Sequence, residues 1–444
     1  MYMNGIIILL AKLSHKILHL TGKGSTFPGD FALKLNKNIF KHFKMTETVI
    51  FVTGTTGKTS VTGCLYEIYK HSNYKVACNI KGANLSGGVL TTLIDSSKLN
   101  GKSKVDVLIL EVDERFVKVI SKYITPNYLI INNLSRDQLA RNGHHELVFE
   151  GINNSIKKET TLVINADDPL VNMFSLGKKN KIIYYGVSKN KYSTKNMTNS
   201  YDVCYCPICN SKLDFKYFNY GNLGYYTCPN NDYNRPKCDF EAVLKGDRVL
   251  IGNDNISIAN DALYNVYNTL ACYSLAISNG VDKNKVIDAL NNLSMKVKRL
   301  NTFNYNGFET TMLLSKNETP ISYNQSLNYI SNQKGDKTVV IGYTRISGRY
   351  NMMDISWMYD VNFELLNRKE VKRIILIGSY AYDIATRLEL AGIDKKKFKY
   401  VIDPEESFDF IFNNAYKNTK LYCVVYFDLN YKYLDILKKR GVKL

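Results

Sequence analysis

Glu47-Thr-Val-Ile-Phe-Val-Thr-Gly-Thr-Thr-Gly-Lys-Thr-Ser60 is the stretch whose reading decides the fold. Its first half, Glu47 to Val52, is a short apolar, β-branched run and predicts a buried strand. In the second half, Gly54 and Gly57 let the backbone turn tightly and aim N–H groups at phosphate oxygens. Val61 to Lys70 follows with apolar residues at helical spacing. A glycine-rich turn between a strand and a helix, ending in Lys-Thr, is the context in which such a loop binds a nucleotide. Gly54, Thr55, Thr56, Gly57, Lys58, Thr59 and Ser60 are therefore expected to cradle ATP. Lys58 would bridge the β- and γ-phosphates, and Thr59 would offer its hydroxyl to Mg²⁺. The loop is shorter than the common G-x-x-x-x-G-K-S/T form.

Working outward, Val105 to Leu110 predicts a second strand, ending in Glu111-Val-Asp113-Glu114. Tyr128 to Asn132 and Thr161 to Asn165 predict two more. Strands alternating with helical stretches mark a parallel α/β sheet. A carboxylate at the carboxyl end of a core strand lies where such sheets bind ligands, so Glu111 is a candidate metal ligand. Asp113 and Glu114 are alternatives, and a solvated acidic loop is the plain reading. The pattern resumes near Asp261 with a helix through Ile277. It carries Asn265 and Asn268, three apart and on one face, which could meet an adenine edge. Lys296 to Asn306 is charged and irregular and marks a boundary. Beyond it, Thr338 to Ile341, Arg373 to Ile377 and Leu421 to Tyr426 predict strands of a second α/β domain. The expected division is a helical segment over 1–45 with a PGD turn at Pro28 to Asp30, a central domain over 46–296 and a C-terminal domain over 297–444.

About Val203 to Phe240 the pattern is interrupted by an insertion rich in Tyr, Asn and Pro. It holds five of the nine cysteines. Cys206-Pro-Ile-Cys209 is a C-x-x-C knuckle, which sets two thiolates to bite one ion, and a second pair closes a tetrahedron. Cys206, Cys209, Cys228 and Cys238 are the expected zinc ligands, with Cys204 as the alternative fourth. Asn231 stands where a ligand would normally be. Clustered cysteines in a chain of 444 residues without secretory features suggest metal rather than disulfides.

Composition bounds the rest. Hydrophobic residues make up 45% and charged residues 22%, which fits a globular protein. The early apolar run, Gly5 to Ala11, is far shorter than the ~20 residues of a membrane span. It is followed by Lys12, His15 and Lys16, so a helix is expected there and a cytoplasmic location follows. The net charge of +19 attracts nucleotides, nucleic acids or anionic membranes without choosing among them.

Collectively these residues resemble the Mur ligases, the ATP-dependent enzymes of peptidoglycan synthesis. The phosphate loop has their form, and Asn165-Ala-Asp-Asp168 looks like their N-A-D-D element. More narrowly the chain resembles the MurT-type, ligase-like subunits of lipid II isoglutaminyl synthases. FPGDFALKLN (27–36), KGANLSGG (81–88), LEVDE (110–114), NLSRDQLAR (133–141), LYNVYNTLA (263–271), DISWMYDVNFE (354–364) and IGSYAYDIATRLELAG (377–392) carry the likeness, together with the Cys insertion, which resembles their zinc ribbon. The resemblance implies a central P-loop ATPase domain and a C-terminal α/β domain. It implies activation of the D-glutamate α-carboxylate of the lipid II stem peptide as an acyl phosphate. Ammonia from a GatD-type glutaminase partner would then give D-isoglutamine, at the inner membrane surface. Asp354 matches the aspartate thought to orient the glutaminase histidine, with Asp360 as the alternative. Arg299 matches the arginine of a G-R-x-E element, and Asn268 with Asn265 would face adenine. Several positions depart from the Mur-ligase pattern: Gln138 stands where Mur ligases generally carry His, though MurT-type chains share the Gln, and Asn301 replaces the Glu of the G-R-x-E element. Lys316-Asn317-Glu318-Thr319-Pro320 is longer than K-N-P, and GRYNMMD (348–354) precedes Asp354 where D-G-x-D is expected.

Two other readings compete. A stand-alone amide ligase of the Mur or folylpolyglutamate type would work without a glutaminase, but the segment before the loop is short for a UDP-binding domain. A nucleic-acid-binding NTPase would use the zinc ribbon and basic surface, yet no interleaved basic-aromatic run supports it. No nucleic-acid partner is expected.

Overall fold

The computed structural model describes residues 2–19, 25–79, 83–135, 145–195, 205–258, 262–296, 300–315, 319–343 and 355–442. The apolar run after Met45 forms β1 (Thr48–Thr53), buried at five of its six positions. β2 (Val76–Cys78), β3 (Val107–Glu111), β4 (Tyr128–Ile131), β5 (Thr161–Asn165) and β6 (Ile182–Val187) follow. β7 (Asp214–Tyr220) and β8 (Leu223–Thr227) form a hairpin of their own. β9 (Phe240–Lys245), β10 (Arg248–Ile251) and β11 (Asp254–Ser257) return to the main sheet. Its order is β11-β10-β9-β6-β5-β4-β1-β3-β2. It is parallel from β2 to β9 and antiparallel beyond.

Alternate residues of these strands feed two cores. Ile50, Val52, Ile109, Ile130 and Val163 face one side, and Val49, Phe51, Leu108, Leu110 and Leu129 the other. On the second side lie α1 (Tyr2–His19), α2 (Phe27–Leu35), α4 (Ser86–Asp95) and α5 (His145–Asn153). On the first lie α3 (Lys58–His71), α6 (Leu263–Ser278) and α7 (Lys283–Lys296). The N-terminal segment is therefore part of the central core, through Ile7, Ile8, Ala11 and Ala32. The expected PGD turn is instead the first turn of α2. Pro28 suits that position because its missing N–H has no helical partner there anyway. Gly29 lets α2 cross α4 closely, since a Cβ on it would fall 1.9 Å from the Gly87 carbonyl oxygen.

The second sheet comprises β12 (Leu300–Tyr305), β13 (Phe308–Ser315), β14 (Lys337–Gly342), β15 (Val371–Ile377), β16 (Phe398–Val401) and β17 (Lys420–Tyr426). Its order is β12-β13-β17-β14-β15-β16, parallel except for the β12–β13 hairpin. α8 (Pro320–Asn332), α9 (Ala381–Leu390), α10 (Ser407–Asn414) and α11 (Phe427–Lys439) cover its faces.

Candidate active site

Strand register brings three distant segments to one sheet edge. Val52 lies beside Glu111 and Thr53 beside Ile131. The loop after β1, the acidic run after β3 and Asn132-Asn133 after β4 thus converge. Chain order reverses here, with β3 on one side of β1 and β4 on the other, which is where open α/β sheets form a ligand crevice. Gly54 (φ 132°) and Gly57 (φ 80°) hold backbone conformations that L side chains avoid. α3 opens at Lys58, so its N-terminal N–H groups and the positive end of its dipole are presented at the loop. The end of β4 braces the cradle. Asn133 Oδ1 accepts from the Thr56 N–H at 2.9 Å, its carbonyl accepts from the Thr55 N–H at 3.0 Å, and Thr55 Oγ1 accepts from the Ser135 N–H at 3.0 Å. Such bracing fixes the loop before a phosphate arrives.

The three acidic residues have separate roles. Glu114 Oε2 accepts from the Lys58 ammonium at 2.8 Å, with both side chains buried, and Lys58 also donates to the Gly54 carbonyl. Asp113 receives Arg115 Nε at 2.9 Å. Burial opposes the Asp113 charge, but the bonds and charge of Arg115, helped by Lys58, outweigh it and hold the carboxyl below its ordinary range. Glu111 is held differently. Asn79 clamps its backbone, accepting from its N–H and donating to its carbonyl, each at 2.7 Å. Asn84 donates to Oε1 at 3.0 Å, and Oε2 is buried with no hydrogen-bond partner among the described residues. A buried carboxylate oxygen without a donor is costly unless a cation meets it. The donor set at Glu111 therefore fits magnesium, with Thr59 exposed on the first turn of α3. The bracing asparagines Asn79, Asn84, Asn132 and Asn133, and the Glu114 partner of Lys58, escaped the sequence reading. Their only signal there is proximity to the strand ends.

Asn265 and Asn268 are half-buried on α6. α6 lies along α3, where the Cys272 thiol approaches the Val61 carbonyl at 3.6 Å. That packing brings Asn268 to the phosphate loop, and a Cβ on Gly57 would lie 2.5 Å from its Oδ1. Arg299, Asp354, Cys204 and Gln138 lie outside the described residues. Asp360 is half-buried, and its carbonyl accepts from Asn324 Nδ2 at 3.0 Å. Nearby Trp357 is buried against Tyr343 and Tyr323, at ring distances of 4.6 and 5.9 Å, which pins the segment after Asp354 to the second core.

In the insertion, Cys206, Cys209, Cys228 and Asp232 bring their ligand atoms within 4.8 Å of one another. The Cys209 and Cys228 sulfurs are 3.4 Å apart, and Cys206 Sγ accepts backbone N–H groups of Ile208 and Cys209. Three thiols and a carboxylate at this spacing fit a tetrahedral zinc. Cys238, the expected fourth ligand, stands apart from this group, and its alternative Cys204 lies outside the described residues. Cys238 lies with Arg235 and Asp167 around Gly186, and burial pushes its thiol up to about 12. Asp232, next to the left-handed Asn231 (φ 65°), stands with the three thiols instead. Asp167 is itself a buried tie. It accepts from Arg235 Nε and Tyr267 Oη at 2.6 Å each and from the Val187 N–H at 2.7 Å. It thereby joins the insertion, the main sheet and α6. Asp168 caps the next turn through the Leu170 and Val171 N–H groups. The N-A-D-D element is thus structural here.

Residues 52–276, just over half of the chain, match the Mur ligase middle domain. The chain belongs to the Mur ligase family. Residues 314–427 match the MurT ligase C-terminal domain. Two curated relatives carry the name lipid II isoglutaminyl synthase (glutamine-hydrolyzing) subunit MurT. The Staphylococcus aureus (strain COL) protein is 28% identical over 87% of this chain and 88% of its own length. The Streptococcus pneumoniae (strain ATCC BAA-255 / R6) protein is 27% identical over 98% of this chain and 97% of its own. The fold is similar to that of a pseudomurein peptide ligase type C from Methanothermus fervidus, with a TM-score of 0.67 and 22% identity over 91% of this chain and 81% of that one. Mur ligases use ATP and Mg²⁺.

Proposed function

We propose that this Mur ligase is the ligase subunit of a lipid II isoglutaminyl synthase. One observation carries the reading: a braced phosphate loop facing a buried, donor-poor Glu111 stands in one chain with a MurT-type C-terminal domain. The α-carboxylate of the stem-peptide D-glutamate attacks the γ-phosphorus of ATP, and the bond to the β-phosphate oxygen breaks. The products are an acyl phosphate and ADP. Ammonia then attacks the acyl carbon, phosphate leaves with its oxygen, and the nitrogen loses a proton to give the carboxamide. Lys58, released from Glu114, and the N-terminus of α3 neutralise charge developing on the transferring phosphoryl group. Glu111 and Thr59 would hold a magnesium ion, which would supply charge neutralisation at the phosphates. Asn268 contacts the phosphate end of the nucleotide, with Asn265 nearer the nucleoside.

Ammonia comes from a GatD-type glutaminase that docks on the second domain, and Asp354, or Asp360 six residues on, orients its histidine. Zinc in the insertion is structural, held by Cys206, Cys209, Cys228 and Asp232. The test is reconstitution with a glutaminase, lipid II, glutamine and ATP, read by mass spectrometry as conversion of carboxylate to carboxamide. Asp354→Asn should cut glutamine-driven amidation strongly while free ammonia restores part of it. No carboxamide from either nitrogen source with the wild-type complex would overturn the reading. Unchanged glutamine-driven activity in Asp354→Asn and Asp360→Asn would remove that role from the loop.

A further inference from the structure

α1 has two apolar faces, and its position in the fold covers one of them. Ile7, Ile8 and Ala11 are buried in the core over α4 and the sheet. Met3, Ile6, Leu9, Leu10, Leu13 and Ile17 fall on the opposite arc of the helix, at the i, i+3, i+4 spacing of a continuous stripe. They are 43–70% exposed. Isolated exposed leucines need no explanation, but six on one helix face form a patch, and patches of that kind mark contact sites. The patch extends past the helix, because Gly5 abuts the backbone of Leu99, itself 44% exposed.

Charge identifies the occupant. Residues 1–29 contain no Asp or Glu. Lys16 flanks the stripe on the helix, Lys98 and Lys102 flank Leu99, and all three are exposed. Asp95, the acidic group that α1 touches, is engaged by His15 Nδ1 at 2.7 Å. Protein interfaces concentrate aromatic residues and arginine and shed lysine at their centres. This face has the opposite composition: described outward positions are Met, Ile and Leu, and lysines border them. Aliphatic side chains bordered by lysines suit the boundary between headgroups and acyl chains of an anionic bilayer. No described helix is long and apolar enough to cross a membrane. α1, about 27 Å long for its 18 residues, would lie in the interface plane.

We propose that the outer face of α1 is a membrane-docking surface that seats the protein on anionic lipid. Its purpose rests on the reading of the substrate as lipid-linked, since docking holds the protein at the surface to which such a substrate is confined. The test uses the full chain and vesicles of phosphatidylcholine with or without phosphatidylglycerol, free of lipid II. Wild-type protein should co-sediment with the anionic vesicles, less so as salt rises. Ile6→Ser/Leu10→Ser/Leu13→Ser/Ile17→Ser should lose binding by about tenfold or more, with an unchanged circular dichroism spectrum and melting midpoint. Equal binding by both proteins, or none by the wild type, would overturn the proposal. So would self-association of the wild type that the quadruple variant abolishes without any vesicle binding, since the face would then join two copies. Amidation of a lipid-free stem-peptide substrate separates the two readings. If it persists while vesicle binding fails, only the docking falls. If it fails while vesicle binding holds, only the proposed reaction falls.

Discussion

Lys58 faces a carboxylate as well as a phosphate, and that changes what its removal does. Its ammonium and Glu114 are both buried and 2.8 Å apart. Lys58→Ala removes charge aimed at the transferring phosphoryl group, a loss of ~3 kcal/mol or more in transition-state stabilisation. It also strands Glu114 as a buried, uncompensated anion, a penalty of ~3–5 kcal/mol. The expected outcome is an inactive protein with a clearly lower urea midpoint. Lys58→Met/Glu114→Gln removes both charges and should recover most of the stability with none of the activity. Urea titrations placing Lys58→Ala level with the wild type would show that the pair is not buried in solution. Gly57→Ala acts through shape instead. Its φ of 80° and the 2.5 Å approach of Asn268 leave no room for a methyl group, so nucleotide affinity should fall sharply in equilibrium binding. Asn268→Ala in the same chain relieves the contact but not the φ, and it also removes a proposed nucleotide contact, so it should not restore the affinity.

The insertion makes its own prediction as an element. Three thiols and Asp232 fit one zinc, and Cys238 stands apart beside Arg235. Metal analysis should give about one zinc per chain, retained by Cys238→Ser and largely lost by Cys228→Ser. Asp232→Ala should weaken retention against a chelator, whereas retention equal to the wild type would exclude the carboxylate. Chelation should loosen the β7–β8 hairpin, because Cys206, Cys228, Leu213, Tyr226 and Tyr233 form a small core around the site. Asp167 should matter more than any ligand. Asp167→Ala takes the buried partner from Arg235 and leaves it the exposed Glu241 at 3.1 Å, and should cost ~3 kcal/mol. The elements also differ in how far the sequence discloses them. β1, β3, β4, β5, β14, β15 and β17 were legible within a residue or two, because a strand buried on both faces is a continuous apolar run. β9 to β11 were not, because Phe240 to Ser257 lies on an edge where half the side chains face water and the pattern dissolves among polar residues. At the site, the loop and Glu111 were legible from chain order. The clamps by Asn79, Asn84 and Asn133 were not, since strand register creates those contacts between residues 27 to 77 positions apart. Asp232, which stands with the three thiols, has no such signal in the sequence.

At the scale of the whole chain, the two sheets have separate cores that meet at α8. Ile321, on its first turn, packs into the central domain's core, while Tyr323, Leu327 and Ile330 of the same helix belong to the second. Ile321 also approaches the turn at Gly221, between β7 and β8. A chain built this way should not unfold as one unit, because cooperativity between domains depends on the contacts that cross. Calorimetry should resolve two transitions. The phosphate loop, Glu111 and Asn268 all belong to the first sheet and its helices, so a non-hydrolysable ATP analogue with Mg²⁺ stabilises that unit directly. At a hundredfold excess over Kd the gain is about 2.7 kcal/mol. The upward shift should fall on the central-domain transition and vanish in Lys58→Ala. Ile321→Ala removes the bridging side chain at a cost of ~2–5 kcal/mol. It should move the two transitions apart without abolishing the nucleotide shift, since no residue of the loop touches that contact. A nucleotide shift confined to the C-terminal transition would place the phosphate site in the wrong sheet. A single transition that stays single in Ile321→Ala would show that α8 is not what joins the two domains.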